Sequence, residues 1–184
     1  MKPVARSAIV DYVTYEDVRN EMRERVLAAK ALRRVHVGEH LTFLFENALT
    51  VQYQVREMMR VERLVREADI VHELDTYNML LGGDGELGAT LLIEIDDQAL
   101  RAVKLREWLA LPRHVYATLE DGTRARAIFD PAQVGEERLS SVQYLKFPVG
   151  GQVPVALGVD LPDLRQETQL SKEQRAALAE DLAG

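Results

Sequence analysis

The chain has 184 residues, 47% hydrophobic and 29% charged, with a formal net charge of -7 and no cysteine. That balance suits a soluble globular protein with a substantial core and excludes a disordered chain. The acidic net charge argues against a general nucleic-acid binder, and the missing cysteines exclude disulfides, thiolate metal sites and a cysteine nucleophile.

The opening stretch MKPVARSAIVDYV is too short an apolar run for a signal peptide or a membrane span, and Tyr15, Glu16 and Asp17 follow it at once. A cytoplasmic protein with no membrane partner is expected. From Thr14, a plausible N-cap, to about Arg34, the spacing of Val18, Met22, Val26 and Ala29 predicts an amphipathic helix. Leu41 to Glu46 alternates as a strand, with Leu41, Phe43 and Phe45 on one face and Thr42, Leu44 and Glu46 on the other.

A second helix is predicted from Thr50 to about Glu67, and a third, capped by Asp69, to Leu81, where Gly82 and Gly83 stop it. Ala89 to Ile95 reads as a strand, and Asp97 to about Leu109 as a helix. His114 to Leu119 and Arg124 to Phe129 flank Asp121-Gly122, a hairpin signal, and Val142 to Phe147 and Val153 to Val159 supply further strands. Ser171 with Gln174 forms a capping-box pattern ahead of a terminal helix. The expected fold is α+β and a single domain over residues 1–184. Residues 1–81 form a mainly helical layer packed on a mostly antiparallel sheet, and 82–184 a strand-rich part with the C-terminal helix.

Candidate chemistry centres on carboxylates and amides. On a wheel for residues 50–67, Val51, Val55, Met58, Val61 and Val65 make an apolar face, and Gln54 and Glu62 fall within it. A carboxylate there must be paired, bind a metal or be protonated. Glu46, Glu94 and His72 could complete a divalent-metal site with Glu62, the mixed oxygen and nitrogen set suiting iron, manganese or zinc. The competing expectation is a structural network with arginines.

Asp69 and His72 repeat only one half of a di-iron bundle motif. Gly83, Gly85 and Gly88 match a dinucleotide fingerprint, but in the order helix, loop, strand, so no nucleotide cofactor is expected. Arg56, Arg60 and Arg63 form a basic strip suited to an anion or an acidic partner. Gln54, Tyr77, Asn78, Gln143 and Tyr144 could frame a small-molecule pocket.

The segments FEN (45–47), QVREMMRVER (54–63), ELDTYNMLL (73–81) and ATLLIEI (89–95) resemble, in order, those of a bacterial family classified only as a domain of unknown function. EERLSSVQYLKFPVG (136–150), VALGVD (155–160) and LSKEQRAALAEDL (170–182) extend the likeness over nearly the whole chain. One departure is Asp160-Leu161-Pro162, where the family tends to carry a histidine before the proline. The resemblance implies no reaction. Its relatives often sit beside genes for rubrerythrin-like and iron-sulfur redox proteins, which implies an accessory role beside a redox protein partner. The leading expectation is therefore a non-catalytic accessory or interaction component of a redox or oxidative-stress system, with a homo-oligomer as a further expectation. The competing one is an enzyme or ligand-binding protein with the carboxylate metal site.

Overall fold

Asp11, and not Thr14, caps the first helix in the computed structural model, which describes residues 1–184. Its side chain accepts from the Val13 and Thr14 amides, and α1 runs over Tyr12–Ala31. The helix stops short of Arg34 because Val35 and Val37 are needed elsewhere. Arg34–Val37 is a strand, β1, turned by Gly38 (φ 67°) into an antiparallel pair with β2, Leu41–Phe45. Alternation in a four-residue RVHV run is a weak signal beside a long charged helix.

Asn47 and Thr50 form a reciprocal capping box that starts α2 at Ala48, and α2 ends at Glu62. Arg63 then takes the left-handed conformation (φ 51°, ψ 45°), which breaks the helix before the expected Glu67. α3 covers Glu67–Asn78, and Asp69 lies within its first turn instead of capping it. The Gly83–Gly88 region is a turn leading into β3, Leu87–Ile93. Asp97 caps α4, Gln98–Glu107. β4 (Val115–Thr118) and β5 (Arg124–Arg126) form the expected hairpin, followed by β6 (Val142–Phe147) and β7 (Ala156–Val159). An unexpected strand, β8 (Gln166–Gln169), precedes α5 (Lys172–Ala183), whose Ser171–Gln174 capping box is formed as expected.

The fold is α+β, with two antiparallel sheets where one was expected. The first sheet has the order β1-β2-β3-β6 and the second β5-β4-β7-β8. Side chains from both meet in one apolar core that includes Phe43, Phe45, Leu91 and Phe147 from the first and Val115, Leu157 and Val159 from the second. α4 and α5 add Leu105 and Leu178 to it. At one seam Ile128 exchanges backbone hydrogen bonds with Lys146, and the Gln133 side-chain amide pairs with both backbone groups of Tyr144. At the other, Thr168 and Gln174 side chains donate to the His36 and Arg34 carbonyls. These bonds occupy edges that would otherwise be open to another strand.

Helices α1–α3 hold two smaller apolar clusters of their own, one around Val51, Val55, Met59, Ile70 and Leu74, the other around Tyr15, Met22 and Val26. Gly88 lets the tail of α3 lie on β3, because a Cβ at this position would collide with the Leu80 carbonyl. Between α1 and α2, Glu57 accepts two hydrogen bonds from Arg19, at 2.7 and 3.1 Å, one from Tyr15 at 2.7 Å and one from Arg60 at 3.1 Å. Burial pushes the Glu57 carboxyl up, but the bonds from Arg19, Tyr15 and Arg60 outweigh it and hold the group down at about 2.

A carboxyl lowered on folding contributes stability that is present above its unfolded value and is lost as pH falls toward the folded one. Glu57→Gln is therefore expected to cost roughly 2 kcal/mol near neutral pH. The gap between variant and parent should close as pH drops from about 4.5 toward about 2. Urea unfolding across that range checks this, and a gap that stays constant with pH would contradict the role given to Glu57.

Candidate functional site

Alternation along the β4–β5 hairpin sends Val115, Ala117 and Ala125 into the core and leaves Tyr116, Thr118, Arg124 and Arg126 on the outer face of the second sheet. Tyr116 stands opposite Arg126 on one side and Gly158 on the other. A Cβ at residue 158 would come 2.6 Å from the Tyr116 ring and hydroxyl, so glycine lets the ring lie flat on the sheet. The guanidinium carbons of Arg124 and Arg126 lie 4.0 and 5.4 Å from the ring centroid, within cation–π range. Although it is on the outer face, Tyr116 is therefore only 2% exposed.

Asp160, just after β7, accepts two hydrogen bonds from Arg126 and lies 3.0 Å from His114 Nδ1 and 3.7 Å from Arg124. The Arg126 bonds, opposed by burial and reinforced by His114, hold the Asp160 carboxyl far below the usual carboxylate range. Burial, with the Glu167 carboxylate nearby, pushes the Tyr116 phenol up. Around this centre Arg113, Arg165 and Pro162 complete an open depression of about 510 Å³. Arg113 and Arg165 are exposed and make no ion pair. Four arginines and a histidine thus surround one aspartate in a protein of net charge -7. The arrangement can receive an anion, with guanidinium planes offering paired donors to a carboxylate or phosphate.

None of these residues stood out as a site in the sequence, though the signal was legible. The hairpin at Asp121-Gly122 places Arg124 and Arg126 on the same face as Tyr116 and Thr118. Arg113 and Arg165 join only through turns flanking β4 and β8, which no local pattern reveals. The turn at Asp160–Pro162 supplies the aspartate that organises the cluster.

The four metal candidates are not brought together, and no group of three or more histidine and acidic side chains is arranged to hold an ion. Glu62 is exposed and not buried as its wheel position suggested. The buried stripe of α2 is Val51, Val55 and Met59, and Val61 is 64% exposed, because the helix ends before a further turn can pack. His72 is exposed on α3. Glu46 is buried and accepts from the hydroxyls of Thr50 at 2.6 Å and Thr90 at 2.8 Å. Glu94 accepts from Thr42, whose oxygen lies 2.9 Å from His36 Nδ1. Thr42 is only 2% exposed, so this trio is a clasp across β1, β2 and β3 and offers no accessible hydroxyl.

The basic strip on α2 turns inward. Arg56 donates to the Ala8 carbonyl and sits over the Tyr15 ring, Arg60 pairs with Glu57 and Glu16, and Arg63 alone is exposed. Of the pocket candidates, Tyr77 and Tyr144 do line a common cleft. Gln54 does not line it. Asn78 pairs with both backbone groups of Val4, and Gln143 faces the core, where its Nε2 reaches the Ser140 carbonyl and its Oε1 has no partner. Asn78 and Gln143 thus lie outside the cleft, because register sends residue 143 to the opposite face from 144.

A fold of two antiparallel sheets with a helical layer and an anion-receptive face corresponds to no reaction by itself. The chain matches the model of a family described as protein of unknown function (DUF3501) over residues 3–182, and it belongs to that family. It is similar to a crystal structure of a novel protein of unknown function from Burkholderia pseudomallei K96243. The two share 29% identity with a TM-score of 0.90, over 98% of this chain and 100% of that one. No curated protein matches it. No helix is long and apolar enough to cross a membrane.

Gly158→Ala should lift the Tyr116 ring off the sheet and lower stability by roughly 1–3 kcal/mol. Urea unfolding measures it, and an unchanged midpoint would show that the ring does not need the glycine.

Proposed function

We propose that this protein is a non-catalytic binding protein whose second-sheet face takes an acidic segment of a partner protein. The observation that carries this reading is the pair of exposed arginines, Arg113 and Arg165, that form no ion pair and line one depression with an aspartate already engaged by Arg126 and His114. Structural arginines in this chain behave differently: Arg6, Arg19, Arg33 and Arg60 each meet a carboxylate. The open shape of the face suits a segment laid across it. Its steering effect would act on association rate and fade with salt.

The redox partner implied by the family resemblance fits this reading when that partner presents acidic side chains. Self-association fits as well, since the net charge of -7 leaves acidic surface on a second copy. The carboxylate metal site has no comparable support, its four residues lying apart.

Fluorescence anisotropy with a labelled decaglutamate peptide tests the reading. Binding is expected at low salt, weakening as salt rises, and falling about tenfold or more in an Arg113→Ala/Arg165→Ala variant. Salt-insensitive binding, equal binding by the variant, or saturation by inorganic phosphate alone would replace it with another reading.

A further inference from the structure

The end of α3, the segment at 128–133 and the outer side of β6 enclose a second cleft of about 550 Å³. Its walls are mainly apolar, with Tyr77, Leu80, Phe129 and Tyr144 among them. Met79 is 66% exposed, Ile128 53% and Tyr144 48%, so three of the large apolar side chains most open to solvent converge on one rim. Isolated exposed apolar residues are ordinary, but several around a concave apolar site of this size mark a ligand site.

The polar groups of the cleft restrict what the ligand can be. The Gln133 amide makes one bond to each backbone group of Tyr144, the Asp130 Oδ1 caps the turn at Ala132, and Thr76 donates to the His72 carbonyl. Lys146 is the only cation in the lining, and it makes no ion pair. The Tyr144 hydroxyl, on the residue two positions earlier and hence the same strand face, also has no partner. Apart from the second carboxylate oxygen of Asp130, the remaining free groups, the Lys146 ammonium and the Tyr144 hydroxyl, are thus donors beside an apolar hollow.

We propose that this cleft binds a small monocarboxylic acid with an apolar body, its carboxylate received by the Lys146 ammonium and the Tyr144 hydroxyl and its body lying against Leu80, Phe129 and Tyr77. An apolar ligand without an acceptor would leave the ammonium half-buried and unmatched. A ligand with several charges would leave charge against the apolar wall. Both requirements of such a site, an apolar slot and one directional charge, are met in this cleft.

Calorimetric titration with octanoate and with 1-octanol on the whole chain tests this, with Lys146→Met and Met79→Asp variants checked for folding by circular dichroism. Lys146 is partly exposed and Met79 exposed, so neither change opens the core. Saturable octanoate binding is expected, weakened about tenfold by Lys146→Met, which should barely change octanol binding. Met79→Asp should weaken both. No saturable octanoate binding, octanoate affinity unchanged in Lys146→Met, or binding that survives Met79→Asp would each overturn the proposal.

Discussion

Arg33 and Asp181 form the contact on which the relative placement of the parts depends. They lie 148 positions apart, are 7% and 6% exposed in their side chains, and meet through two hydrogen bonds of 2.7 and 2.9 Å. The guanidinium also reaches the Ala29 carbonyl at the end of α1 and the Ala177 carbonyl in α5, while Asn47, the cap of α2, donates to Asp181. One ion pair therefore fixes the end of α1, the start of α2 and the terminal helix against one another. A buried pair contributes little net stability against an apolar substitute, but removing either partner strands a charge and costs several kcal/mol. Its service is geometric: it sets where the helical layer sits relative to the sheets.

That geometry is needed because the apolar clusters do not merge. The large core belongs to the two sheets with α4 and α5, and the helices α1–α3 keep two small clusters apart from it. Between them lie polar contacts such as Glu46 with Thr50 and Thr90, and the close approach of Leu80 to Gly88. Hydrophobic burial is non-directional and could tolerate several placements of such a layer. Directional hydrogen bonds and one glycine select among them.

Charge is distributed by the same logic. Acidic and basic side chains on α1 and α2 neutralise one another around Glu57, which explains why an arginine-rich helix presents no basic surface. On the second sheet the acidic complement is a single aspartate with Glu167 beside Tyr116, and arginines remain unmatched. The difference arises from cover: the Glu57 group is shielded between two helices, where an unpaired charge is costly, whereas the sheet face is open to water, where it is tolerated.

Local pattern determined much of this protein. The inward faces of β2, β3 and β6, the hairpin at Asp121-Gly122, and the capping box of α5 all follow from alternation or short-range hydrogen bonding, which act over a few residues. Of the five pocket candidates, Tyr77 and Tyr144 line one cleft, whereas Gln54, Asn78 and Gln143 do not. Tertiary structure decided the rest. The wheel that buried Glu62 assumed a continuing helix, whereas Arg63 ends it; β1 and β8 exist only because partners supply their hydrogen bonds; and the division into two sheets reflects closure around a shared core. Glu46, Glu62, Glu94 and His72 were individually plausible ligands, yet coordination requires convergence within a few ångströms. The gathering of Arg113, Arg124, Arg126, Arg165 and Asp160 shows the same limit from the other side, because side chains some fifty residues apart become neighbours only when strands pair.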